Sequence, residues 1–192
     1  LIATGVQNVV ESRYKRFEAI WNESNKRAFY AQIIIKKVEN NSKLGDQVYL
    51  SALLSDIGKI VMLSLQSDLL DKIRQLTGFK GIEDTTLLEE ISLGISHSSL
   101  GALICKRWNF NDSLIKTIEL HRRPHRAPDE LKTLIYTVYL STVFIDIENN
   151  KSRFEIVDDD VLEFFKLTKK EDFLKLHEIL IESFSPKTNL KK

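Results

Sequence analysis

Three observations predict an all-α fold, a compact multi-helix bundle. Apolar residues recur at three- and four-residue intervals along almost the whole chain, the period of a helix buried on one side. Proline occurs three times and glycine seven, which is low for a protein rich in hairpins. Helix-start signals precede several of the periodic stretches.

The elements follow in order. Phe17, Ile20, Trp21, Ser24, Ala28, Ala31, Ile35 and Val38 form the apolar stripe of one long helix, with Glu, Arg and Lys on its other side. Residues 46–66 read as a helix broken or bent near Gly58. Thr86-Leu87-Leu88-Glu89 and Thr168-Lys169-Lys170-Glu171 both have capping-box spacing ahead of apolar periodicity. His97, Leu100, Gly101, Ile104 and Trp108 mark another helix, and Asn111-Asp112 caps the next, which runs to about His121. "RRPHRAPDE" is the clearest loop, its Pro124 and Pro128 ending one helix and starting another. Helices are expected over 129–146, 159–166 and 171–184, with "NNKSRFEI" as a short linker. Residues 150–192 then supply a C-terminal helix pair to a single domain spanning 1–192.

Composition narrows the function classes. The 192 residues are 43% hydrophobic and 29% charged, enough apolar material for a sizeable core. With 28 basic and 27 acidic residues the formal charge is +1, so no global field draws nucleic acid or an anionic membrane. No apolar run approaches the roughly 20 residues that span a bilayer, and no signal-peptide pattern opens the chain. The single cysteine, Cys105, excludes an internal disulfide and fits a reducing cytoplasm.

The stretch "SALLSDIGKIVMLSL", residues 51–65, sets Asp56, Gly58 and Lys59 inside an apolar run. Flanked by Leu53, Leu54, Ile57, Ile60 and Val61, the Asp56 carboxylate is expected to point inward, with Lys59 or His97 as its cationic partner. His97 begins one helix and His121 ends another. Asp and His directed inward from separate helices is the geometry of metal sites in helical cores. Each residue alone also has a structural reading, since a buried Asp often caps a neighbouring helix and the macrodipole favours a His at a helix C-terminus.

Taken in order, "WNES" at Trp21, "LLSDIGK" at Leu53, "SHSSLGALICKRWNF" at Ser96, "IELH" at Ile118 and "YLSTVF" at Tyr139 resemble the HDOD family. That family is an all-α relative of the HD-superfamily metal-dependent phosphohydrolases. The resemblance is strong from about Trp21 to His121, and "DDDVLEFFKLTKKEDFLKLHEILIE" looks like the family's C-terminal helix pair. It implies an HD-like bundle and, in the metal-bearing relatives, a series of His, adjacent His-Asp, further His and a late Asp around one or two divalent ions. This sequence departs from the series: Glu23 stands for the first His, Ser55-Asp56 for His-Asp, and Thr142 for the late Asp. Asp56, His97 and His121 match, and Glu23 is the candidate fourth ligand. A serine hydroxyl stays protonated near neutral pH and is a poor ligand. No cofactor is expected.

The resemblance implies a bacterial signal-transduction or regulatory module that has lost its metal set and works with an attached upstream domain or a signalling partner. The alternative is a reduced phosphohydrolase acting on nucleotides or cyclic dinucleotides, with metal on Asp56, His97 and His121 and with Lys59 steadying phosphate charge. "HRRPHR", residues 121–126, adds a candidate phosphate grip in Arg122, Arg123 and His125, against the plainer reading of a solvated basic loop. "LIATGVQNVV" resembles the family's middle stretch, so the chain is expected to lack an N-terminal helical lobe and to dimerise or swap through the face left bare.

Overall fold

The computed structural model describes residues 2–38, 42–65 and 85–184, with side chains from Lys15 onward. Among these residues the structure is helical without strands. In chain order the helices are α1 (Ile2–Val38), α2 (Ser42–Leu54), α3 (Ile57–Leu65), α4 (Thr85–Leu93), α5 (His97–Arg107), α6 (Asp112–Leu120), α7 (Lys132–Glu148), α8 (Asp159–Phe164) and α9 (Lys170–Phe184). No helix of the described residues is long and apolar enough to cross a membrane.

Helix α1 lies against α2 and α7, and α7 runs through the middle of the fold. The largest apolar cluster joins Tyr30 and Ile34 of α1 to Ile135, Leu140 and Phe144 of α7 and to Val161, Phe173 and Leu180 of α8 and α9. A second cluster packs Ala28, Ala31 and Ile35 against Val48, Ala52, Leu134 and Val138, where small residues let α1, α2 and α7 approach closely. Cys105, Leu114 and Ile118 knit α5 to α6 beneath Leu50, Leu54 and Ile57. The end of α7 ties in a polar way to both outer helices: Glu148 accepts from Tyr30 Oη at 2.7 Å and from Lys26, and lies 3.1 Å from His177 Nε2 of α9.

The break expected near Gly58 is present, and several other boundaries differ from expectation. The long helix of residues 46–66 breaks at residues 55–56, just ahead of Gly58, and Asp56 O accepts from Lys59 N at 2.9 Å to start α3. Gly58 also lets a neighbouring helix approach closely. A Cβ there would stand 2.0 Å from the carbonyl oxygen of His97 and 2.9 Å from the amide nitrogen of Gly101, so α3 crosses α5 backbone to backbone. Thr86 does not cap α4, which begins at Thr85 and buries Thr86 in its first turn. Helix α9 opens at Lys170, two residues past Thr168. The segment after the proline loop makes a 3-10 turn, Asp129–Leu131, before α7 proper. Trp21 and Val38 of the expected α1 stripe are about half exposed, while Arg27, assigned to the solvated side, is buried at 1% exposure.

One cap follows its sequence signal, and a second is added by the structure. Asn111 Oδ1 accepts from Leu114 N at 2.9 Å at the start of α6. Ser96 Oγ accepts from Ser99 N at 3.2 Å at the start of α5. Just before it, Gly94 takes a φ of +76° that ends α4 and turns the chain back, bringing Glu89 beside His97.

Candidate functional site

The break between α2 and α3 leaves Ser55 and Asp56 at a point where α1, α5 and α6 also meet. Asp56 is 1% exposed, so its carboxylate must be matched by charge or hydrogen bonds. Arg27 of α1 supplies both. Its Nη2 donates to Asp56 Oδ2 at 2.7 Å and its Nη1 donates to Ser55 Oγ at 2.8 Å. Ser55 Oγ in turn donates to Ala52 O at 2.9 Å, so that hydroxyl is fully engaged. On the other oxygen, Lys59 Nζ sits 2.8 Å from Oδ1 as an ion pair, its side chain a quarter exposed at the rim.

The two histidines close the pocket. His97 opens α5, and Glu89 of α4 accepts from both its backbone nitrogen (2.7 Å) and its Nδ1 (2.6 Å). His121 ends α6, its Nδ1 donating to Ile118 O at 2.7 Å. Because an oxygen acceptor holds the proton on Nδ1 in each ring, both Nε2 atoms carry a lone pair. These atoms lie 3.5 Å and 4.0 Å from Asp56 Oδ1, and neither has a hydrogen-bond partner among the described residues.

The electrostatics follow from burial and these neighbours. Burial pushes Asp56 up, but Arg27 and Lys59 together pull it down further, holding it well below the usual carboxylate range. Burial first, then the Lys59 charge, lowers His97 below 6.5, and His121 falls well below it with burial again dominant. Both rings are therefore neutral near pH 7. Glu89 is pushed up by burial and brought below its usual value by its bonds to His97. Beyond His121, Arg122 pairs with Asp146 of α7, and that pair together with Lys59 and Arg27 keeps Asp146 ionised against its burial.

The structure thus brings Asp56, His97 and His121 together, with one ligand atom of each lying within 4.8 Å of the others. It does not bring in Glu23, which accepts from Asn149 Nδ2 at 3.1 Å and lies 3.6 Å from Lys151 Nζ at the far end of α7. The fourth-ligand expectation for Glu23 is corrected accordingly. Thr142 bonds back to Val138 O of its own helix, and the acid that serves this region is Asp146, one turn later. Arg122 and Arg123 are not an open fork: each is spent on a carboxylate, Arg123 Nη2 on Glu90 at 2.7 Å. Only His125 and Arg126 of that loop are exposed.

Three residues of the pocket were missed by sequence reasoning. Arg27 falls one residue ahead of Ala28 on the buried stripe, a position that sequence alone had left to the solvated side. Glu89 announced itself by capping-box spacing, but its carboxylate serves the next helix instead of its own. Asp146 follows Thr142 by one helical turn and shares its face.

The residues present do not fit a divalent ion. Such an ion takes about four donors at roughly 2.0–2.2 Å, of which water can supply one, so the three gathered here are decided by the charges beside them. The two orphaned Nε2 atoms and Asp56 Oδ1, which lacks a hydrogen bond among the described residues, suit a metal, but Arg27 is fixed on Oδ2, Lys59 stands 2.8 Å from Oδ1 and the Ser55 hydroxyl is committed. Three carboxylates (Asp56, Glu89, Asp146) meet three cations (Arg27, Lys59, Arg122), so an added dication would be an uncompensated buried charge.

Fold and cluster together define an all-α domain with a buried Asp–His–His centre at its helix crossings. The sequence matches the HDOD domain family over residues 1–124, and the chain belongs to that family. It is similar to an uncharacterised protein of Treponema pallidum, 25% identical over 184 residues, which is 96% of this chain and 36% of that protein. Among solved structures it resembles a proposed phosphohydrolase of Shewanella amazonensis SB2B, with a TM-score of 0.64 at 19% identity over 85% of this chain and 59% of that one. An HDOD domain protein of unknown function from Geobacter sulfurreducens gives 0.64 at 17% identity over 85% and 57%. A proposed signal transduction protein of Marinobacter aquaeolei VT8 gives 0.69 at 16% identity over 85% and 36%. At these identities the structural likeness is one of fold, and the chain spans between about a third and three fifths of each relative's length.

Proposed function

We propose that this domain is a non-catalytic signal-transduction module whose HD-type centre serves as a clip between helices. The observation that carries the reading is the pair of cations on Asp56: Arg27 donates to Oδ2 at 2.7 Å and Lys59 Nζ stands 2.8 Å from Oδ1, so a metal, a water nucleophile or a phosphate ester would have to displace one of them. Every member of the pocket comes from a different place in the fold, α1, the α2–α3 break, α3, α4, α5 and the end of α6. A signal that shifts one of these helices changes the partners of all the others, which is how a packed polar cluster reports the state of an attached or associated signalling partner. Such a partner is either another domain of the same polypeptide or a separate protein in the cytoplasm.

A metal-dependent phosphohydrolase is the second reading, and the two lone pairs aimed at Asp56 Oδ1 favour it. There the metal would be held by Asp56, His97 and His121 once Arg27 and Lys59 had withdrawn. The experiment is hydrolysis of bis-p-nitrophenyl phosphate and of cyclic dinucleotides by wild type with and without added Mn2+. The module predicts no turnover above buffer; metal-dependent turnover that His97→Ala abolishes would replace it with the enzyme.

A further inference from the structure

The pocket holds more acceptors than donors on one side. Asp56 Oδ1 faces His97 Nε2 at 3.5 Å and His121 Nε2 at 4.0 Å, and the hydrogen-bonded Nδ1 atoms leave each imidazole with its lone pair turned inward. Two lone pairs and an anionic oxygen repel one another unless positive charge stands nearby. Lys59 provides part of that charge at Oδ1 from the rim, and Arg27 provides the rest at Oδ2 from a fully buried position, where Ser55 Oγ and Asp56 Oδ2 accept from it and its own Nε has no hydrogen-bond partner among the described residues. A guanidinium taken out of water with one donor unmet is expensive to bury. At the surface the same pair would attract far more weakly through water, so the buried position gives the guanidinium its full effect on the pocket.

We infer that Arg27 is the resident cation of this centre, standing in for a divalent ion, and that its removal turns Asp56, His97 and His121 into a transition-metal site. The inference rests on the non-catalytic reading above and deepens it. Without Arg27 the pocket has three carboxylates against Lys59 and Arg122, an excess of one negative charge. Asp56 Oδ2 loses its donor, and the volume of the guanidinium opens beside it. Two imidazole nitrogens and one carboxylate select a borderline first-row ion such as Co2+ or Zn2+ over Mg2+ or Ca2+, which prefer all-oxygen sets. The retained partners of Nδ1, Glu89 and Ile118 O, hold both rings in the ligating orientation.

The test compares wild type, Arg27→Ala, Arg27→Lys and the double variant Arg27→Ala/His97→Ala, using Co2+ alone as probe. Visible Co2+ absorption gives the stoichiometry, and circular dichroism follows folding and thermal unfolding. Expected is one Co2+ per chain in Arg27→Ala and none in wild type. The melting temperature of Arg27→Ala should rise by about 5–10 °C at a hundredfold excess over the dissociation constant, or the chain should refold on adding Co2+ if it is unfolded without it. Removing His97 as well abolishes both effects. Arg27→Lys keeps one cation in place and stays cobalt-free. Stoichiometric Co2+ in wild type or in Arg27→Lys overturns the inference, as does an Arg27→Ala chain that neither binds Co2+ nor recovers its fold with it. Failure of Arg27→Ala beside an inactive, metal-free wild type sinks only this inference, whereas wild-type phosphodiester turnover sinks the module reading itself.

Discussion

Gly58→Ala tests the helix crossing on which the pocket is built. A Cβ at this position would lie 2.0 Å from the carbonyl oxygen of His97, and 2.9 Å from both the carbonyl carbon of His97 and the amide nitrogen of Gly101. Carbon–oxygen contacts between backbones settle near 3.3–3.6 Å, so α3 and α5 must part by roughly 1.3 Å. A gap of that size forfeits about half of the dispersion energy between the facing atoms. Because the atoms struck are backbone, no rotamer change relieves the clash, and the loss belongs at the upper end of overpacking, about 3 kcal/mol after the gain of up to about 1 kcal/mol in helix propensity. The melting temperature should fall by about 6–12 °C for a domain of this size. Two other glycines calibrate the result. At Gly101 a Cβ meets side-chain methyls of Ile118 and Ile57 at 3.2 and 3.3 Å and the Gly58 amide nitrogen at an ordinary 3.5 Å, so Gly101→Ala should change stability by less than about 1 kcal/mol. At Gly45 in α2 nothing stands within 4 Å, and Gly45→Ala should stabilise by about 0.5–1 kcal/mol. Urea unfolding of the three variants gives the order directly. A Gly58→Ala protein as stable as wild type would show that α3 does not cross α5 in this way.

Three further outcomes follow from the site and the core. His97 and His121 have folded pKa values below 6.5, so the unfolded chain binds their protons first; stability is level above about pH 7 and falls as pH drops through 6.5. With two histidines refusing protons the slope approaches about 2.7 kcal/mol per pH unit, and the depressed Asp56, Glu89 and Asp146 add to the loss only below about pH 4. Chemical denaturation at pH 7.5, 6 and 5 reads this, and equal midpoints would contradict it. Glu89→Ala strips two hydrogen bonds from His97, so unfolding by urea should show a loss of about 3 kcal/mol; a change under about 0.5 kcal/mol would mean that His97 finds other partners. Cys105 is fully buried and its thiol is pushed up to about 11 by burial, so a colorimetric thiol reagent at pH 8 should react with it only after denaturation.

The helical architecture was legible because period and caps are local properties written into short windows. Asn111 capping α6 and the stripe of Ala28, Ala31 and Ile35 needed no knowledge of the rest of the chain. Asp56 stood out for a different reason, as a carboxylate inside an apolar run, and the resemblance to the HDOD family set His97 and His121 beside it, although sequence spacing could not show that the three converge. Arg27 escaped because a buried arginine and a solvated one look alike in sequence, and only the position of α2's end decides which it is. Glu89 escaped because one spacing serves two purposes, bonding its own helix start or reaching forward to the next. Asp146 depends on which turn of α7 faces Arg122, and that rotation is settled by packing against α1 and α9. The apolar face anticipated at residues 1–11 lies outside the described side chains.

Lys26 and Arg27 are chain neighbours about 100° apart on α1, and they address two different clusters, Glu148 at one junction and Asp56 at the other. Helix α1 is a rod of about 55 Å carrying both, so a twist or slide applied anywhere along it strains the two junctions at the same moment. Torque arriving at one end of the helix would therefore be divided between the Asp–His–His centre and the C-terminal helix.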